Sequence, residues 1–137
     1  MITIRQKEEQ LSQLIQAVDR KKVHQIRCGD HRFIDITIVQ TEGRFFVRQY
    51  KFNERSWYDA FINNPSLDGE PNGAMRVGDL EVLVNGKVPN DLSMVTSRVN
   101  SAYRKLLGLL YPIMRLTFDT KKHEAATLEL IPVFESE

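Results

Sequence analysis

A single cysteine, Cys28, stands in 137 residues, so no disulfide can form within the chain, which fits a reducing compartment. Long hydrophobic runs are missing as well. The longest, Leu106 to Met114, is interrupted by Gly108 and Pro112 and is too short to span a bilayer. Net charge is almost absent, because 19 Lys and Arg face 18 Asp and Glu and leave +1. That balance gives no global electrostatic case for nucleic acid or a membrane surface, so any anion site must be a local cluster. The histidines, His24, His31 and His123, are scattered, with no HxH or HxxxH pair, and a metal site is not expected. No GxSxG, P-loop or GxGxxG occurs, which leaves serine hydrolase, NTPase and Rossmann readings without support. The opening stretch MITIRQKEEQ is too polar for a secretory signal. The expectation is a cytoplasmic protein with neither nucleic acid nor membrane as partner.

What is present is an ordinary globular balance, 42% hydrophobic and 27% charged. A chain of this length is expected to form one domain, residues 1–137, with residues 1–30 as an N-terminal helical extension. It should bury roughly 65–70% of its unfolded surface and so need no metal, disulfide or cofactor to fold. Arg5 to Lys21 predicts a helix, with Leu11, Leu14, Ile15 and Val18 at helical spacing. Val23 to Arg32 is a polar connection containing Gly29 and Asp30. The run RFIDITIVQ, Arg32 to Gln40, alternates. It puts Ile34, Ile36 and Ile38 on one face and Phe33, Asp35, Thr37 and Val39 on the other. Thr41-Glu42-Gly43 predicts a hairpin turn into a second strand, Arg44 to Tyr50, on which Arg44, Phe46, Arg48 and Tyr50 share a face.

Ser56 is a plausible N-cap for a short helix that Asn64-Pro65 stops. Pro65 to Gly73 is a loop with two Pro and two Gly. Ala74–Val77 and Leu80–Val84 predict a strand pair around Gly78-Asp79, with Asn85-Gly86 ending the second strand. Pro89-Asn90-Asp91 opens a long helix with an apolar stripe of Leu92, Val95, Val99, Ala102, Tyr103, Leu106 and Leu107, closed by Gly108. Ile113–Phe118 and Thr127–Phe134 are the last strands, and Pro132 places the final one at an edge or makes it pair incompletely there. Six short strands with few helices between them predict an antiparallel barrel or α+β domain rather than βαβ units.

The residues that invite a functional reading lie between Arg44 and Pro65. Arg48 at the end of a strand, Lys51 after it and Ser56-Trp57 at a helix start supply a planar fork, a point charge and free backbone N–H groups, the donors a phosphate needs. Trp57 and Tyr58 would then wall a flat ring. Spacing alone favours the plainer alternative, a solvated strand face and an aromatic anchor. Asp35 would need a partner if partly buried, and Arg44 or Arg48 across the hairpin would serve. Cys28 has no activating neighbour and reads as a packed thiol. Arg98, Arg104 and Lys105 read as the solvated face of the long helix.

The ordered set VRQY, SWYDAFINNP and AMRVGDLEVLV resembles the flavin- and deazaflavin-binding split-barrel superfamily of pyridoxamine-phosphate oxidase, near the deazaflavin-dependent nitroreductases. NSAYRKLLGLLYP and AATLELIPV resemble a smaller, functionally uncharacterised bacterial branch. The resemblance covers roughly residues 30 to 134. It implies a six-stranded antiparallel split barrel, a homodimer with FMN or a deazaflavin at the subunit interface, and phosphate contacts carried over to Arg48, Lys51, Ser56 and Trp57. Two functional expectations follow. One is a flavin- or deazaflavin-dependent oxidoreductase. The other is a non-catalytic dimeric module of the same fold that binds a small ligand or a protein.

Overall fold

The computed structural model describes residues 4–21, 23–29, 32–48, 57–65, 70–108 and 127–133. Helix α1 (Ile4–Arg20) is followed by strands β1 (His24–Cys28), β2 (Ile34–Ile36), β3 (Val39–Thr41) and β4 (Arg44–Arg48). Then come helix α2 (Trp57–Asn63), strands β5 (Gly73–Val77) and β6 (Leu80–Lys87), helix α3 (Leu92–Leu107) and strand β7 (Thr127–Pro132). The architecture is α+β. The seven strands among the described residues form one antiparallel sheet in the order β2-β1-β5-β6-β7-β4-β3.

The strand order forces the sheet to curl. β2 and β3 are its two edges, yet only Thr37 and Ile38 separate them in the chain. Laid flat, seven strands would hold their outer members about 29 Å apart at ~4.8 Å per spacing. Three residue steps reach only about 11 Å. The sheet therefore wraps until its edges meet, a half-barrel or more. The predicted strand over 32–40 is two strands, one on each edge, and its alternation runs on through the break. Ile38 stays in the inner core beside Ile34 and Ile36, while Val39 faces outward.

Two further readings are corrected. The supposed polar connection after α1 contains β1, which turns His24, Ile26 and Cys28 inward. Asn85-Gly86 does not end β6, which runs on to Lys87 and pairs Gly86 with Leu130. Pro132 sits in β7, an interior strand, but pairs only with Val84 of β6, because the ladder to β4 stops at Phe45–Leu130. The strand expected at Ile113–Phe118 lies outside the described residues.

The inner core is filled from β1, β4, β5, β6 and β7, with Leu14 and Val18 of α1 and Phe61 of α2 inserted into it. A second cluster lies outside the sheet. There Val95, Val99 and Tyr103 of α3 pack on Val39 and Phe46. Of the α3 stripe, Val95, Val99 and Tyr103 are buried and Leu92, Ala102, Leu106 and Leu107 partly so, and Gly108 caps the helix at φ 58, its N–H bonded to Arg104 O. The hairpin from β3 to β4 turns on Glu42 (φ 54) and Gly43 (φ 78), the paired positive φ values that match the twist of the flanking strands.

Phe61 is seated on backbone. A Cβ at Gly73 would fall 2.4 Å from the Arg27 carbonyl oxygen and 2.7 Å from the Phe61 ring, and one at Gly86 2.6 Å from the same ring. Beyond the end of β5, the side chain of Asn72 takes a strand's place beside Gly86, accepting from its N–H (2.7 Å) and donating to its carbonyl (2.9 Å). Gly73→Ala should cost about 1–3 kcal/mol, because a backbone oxygen cannot swing aside. The loss would be read as a lower urea midpoint at unchanged slope. A midpoint equal to the parent's would refute this seating of Phe61.

Candidate functional site

Arg48 ends β4 on its outward face, under α3, and is fully buried. Its Nε donates to Thr127 Oγ1 (2.9 Å), its Nη1 to Asn100 Oδ1, and its Nη2 to Thr96 O (3.3 Å). The guanidinium lies 5.6 Å from the centre of the Tyr103 ring. Tyr103 accepts from the Arg48 N–H (3.1 Å) and donates to Thr37 O (2.9 Å). One hydroxyl thus bridges the chain crossing between β2 and β3 to the end of β4. No carboxylate among the described residues pairs with Arg48, so its charge is held by neutral dipoles and a π face.

Arg44 does use carboxylates. Its two terminal nitrogens meet both oxygens of Asp91 at 2.9 Å, and its Nε and Nη2 meet Glu129 at 3.0 and 2.9 Å. The bonds to Glu129, then those to Asp91, hold the guanidinium well above its ordinary pKa. Arg44 in turn pulls Asp91 below the usual carboxylate range. The expected Asp35–arginine pair is absent, because Asp35 accepts from Gln25 (3.1 Å) on the exposed surface.

His24 ties β1 to α1. It is buried, and its Nε2–H donates to Val18 O (3.1 Å), while Nδ1 is buried with no partner among the described residues. Burial pushes its pKa below 6.5. The unfolded chain therefore takes up a proton at a pH where the folded chain does not. Stability should be fullest above pH 6.5 and decline as the pH falls from there toward the lowered folded value. Replacing His24 with Gln should flatten that decline in denaturation curves taken from about pH 7 to pH 5. An unchanged slope would assign the decline to other groups.

A cleft of about 410 Å³ opens where the ends of α1 and α3 flank β3, which has one strand neighbour among the described residues. Its floor is apolar: Val18, Ile38, Val39, Ala102 and Leu106. Its rim carries Arg20, Lys21 and Lys105 against one acid, Asp19. Gln40 Nε2, from β3, spans the cleft to both oxygens of Asp19 at 3.1 and 3.4 Å. Among the described residues no ion pair engages the three cations.

The structure divides the residues singled out from sequence. Trp57 and Tyr58 open α2 as an edge-to-face pair, ring centres 6.4 Å apart, partly buried against the inner core. Arg48 lies on the other side of the sheet, and each of its nitrogens already donates within the protein. These three residues do not gather around one point and do not make a phosphate-and-ring site together. Lys51 and Ser56 lie outside the described residues. Of the α3 basic residues, Arg98 pairs with Glu42 of the hairpin turn (2.9 Å), and Lys105 reaches the cleft. Cys28 is buried, and burial raises its pKa, consistent with a packed thiol. Sequence reasoning missed the partners of Arg48. Tyr103 carried the available signal, since a tyrosine inside an apolar stripe must find a partner for its hydroxyl.

No family model matches the chain, and no curated protein matches it. No helix among the described residues is long and apolar enough to cross a membrane. No group of three His, Cys, Asp or Glu side chains among them is placed to hold a metal ion.

Proposed function

We propose that this chain is a cytoplasmic, non-catalytic, split-barrel-like module that works as a homodimer and binds a small molecule in the cleft between α1, β3 and α3. The cleft carries this reading. It falls within the size range of ligand sites and combines an apolar floor with a few polar groups. The split-barrel assignment draws on the two edge strands joined through only two residues. The cleft's described lining is apolar residues, a Gln, an Asp held by that Gln and three cations, a set suited to binding. The test is an amide and methyl NMR screen of small-molecule fragments. Hits should shift Val18, Ile38, Val39, Ala102 and Leu106 together. Shifts that avoid all five would defeat the proposal.

A second reading, an oxidoreductase using FMN or a deazaflavin, draws on the resemblance of the chain to the split-barrel superfamily. One observation favours it, the partly exposed Trp57–Tyr58 pair at the head of α2. Titration with each cofactor, followed by Trp57 fluorescence, separates the two readings. Quenching with saturation supports the cofactor, and unquenched fluorescence with no visible absorbance from bound flavin removes it.

A further inference from the structure

Resting on the reading of the cleft as a ligand site, we propose that its ligand is a carboxylate with an apolar body and a single negative charge. Two features of the cleft set this class.

The first is its floor. Ala102 and Leu106 present partly exposed hydrocarbon, backed by the buried Val18, Ile38 and Val39, so an apolar part of the ligand gains there by leaving water. The second is the way its charges are engaged. Asp19 is the one acid on the rim among the described residues, and the neutral amide of Gln40 holds it. It is therefore not paired with Arg20, Lys21 or Lys105, all three exposed and without an ion pair among the described residues.

The sum of charge decides how much negative charge the cleft accepts. Among the described residues three cations and one carboxylate leave two positive charges. The cleft also sees the C-terminal ends of α1 and α3, each worth about half a negative charge. The total is about one positive charge. A single carboxylate balances it, a dianion overfills it, and a cationic or neutral head leaves the three rim cations uncompensated. Guanidinium and ammonium groups also donate best to an anionic oxygen.

Three probes with the same eight-carbon chain test the class: octanoate, 1-octanol and octylamine. Each is titrated into the full chain by calorimetry and followed by methyl NMR. Octanoate should bind about tenfold or more tightly than the other two, the scale of a few exposed charge contacts. It should shift the floor methyls, and its advantage should shrink when Lys105 or Lys21 is replaced by Gln. Both lysines are exposed, so these variants should fold. Floor shifts with equal affinity for all three probes would overturn the carboxylate while leaving the ligand site standing. Tighter binding of octylamine would reverse the sign of the charge sum and overturn it as well. No floor shift with any probe or with any fragment would sink the ligand site itself and this proposal with it.

Discussion

Replacing Arg48 with Met should destabilise the protein by about 2–4 kcal/mol. The figure is the cost of losing the hydrogen bonds that a fully buried guanidinium donates, reduced by relief of the desolvated charge. Exchange of a buried ion pair for apolar residues of like volume is often neutral, but only when all partners are exchanged together. Here methionine would replace the guanidinium alone and leave Asn100 Oδ1 and Thr96 O without the donor they now have. Asn100→Asp should act in the opposite direction. It sets a carboxylate beside a cation that has only neutral partners among the described residues, and a gain of about 1–2 kcal/mol is expected at neutral pH. That carboxylate would have a lowered pKa in the folded state. Its stabilisation would be present above the unfolded aspartate value of about 3.9 and lost as the pH falls through the folded one. Combining both changes leaves a part-buried carboxylate without the cation it faced, so the double variant should be worse than either single one. Urea denaturation of the four proteins gives the coupling directly. A neutral Arg48→Met, or an Asn100→Asp that destabilises at pH 7, would show that the charge is already compensated.

The same arginine shows where sequence reading ran out. Alternation along β4 correctly placed Phe46 and Arg48 on one face and Phe45 and Val47 on the other. It could not say that the arginine face is covered, because the cover is α3, whose Asn100 stands 52 residues further on. A charged residue on a strand reads as solvated until a distant element closes over it. The two long helices were legible for the complementary reason. Their stripes, Leu14 with Val18 and Val95 with Val99 and Tyr103, need only local spacing to be recognised, and all are buried. β1 was missed because its inward residues include His24 and its outward ones Gln25 and Arg27, too polar for a strand signal. The break at Thr37-Ile38 was hidden because inward and outward positions keep alternating across it.

The cleft was illegible for the same physical reason as the buried arginine. Its rim cations, Arg20 and Lys105, stand in the last turns of two helices, where positive charge is already explained by the helix dipole. Only the topology brings those two ends, one from each face of the sheet, together at β3. What holds α3 there is therefore part of the site, and among its polar ties Tyr103 is the one that reaches the chain just before β3.

Tyr103→Phe should cost about 2–4 kcal/mol and loosen the cleft. The ring is fully buried, so phenylalanine keeps the packing on Val39 and Phe46 and removes only the hydroxyl. The loss is two-sided. The Arg48 N–H loses its acceptor at 3.1 Å and the Thr37 carbonyl its donor at 2.9 Å. Each stranded backbone group costs about 1–3 kcal/mol when water cannot reach it. Thr37 leads directly into Ile38, Val39 and Gln40, the β3 wall of the cleft, while Ala102 is the chain neighbour of Tyr103 on the opposite wall. Releasing the hydroxyl should therefore act on both walls at once. Amide exchange at Ile38 to Gln40 should speed up by more than the global loss of stability explains. A variant that loses stability uniformly, with no excess exchange at those three residues, would make the hydroxyl a general strut and separate it from the cleft. A variant as stable as the parent would mean that water replaces both bonds, which the full burial of Tyr103 argues against.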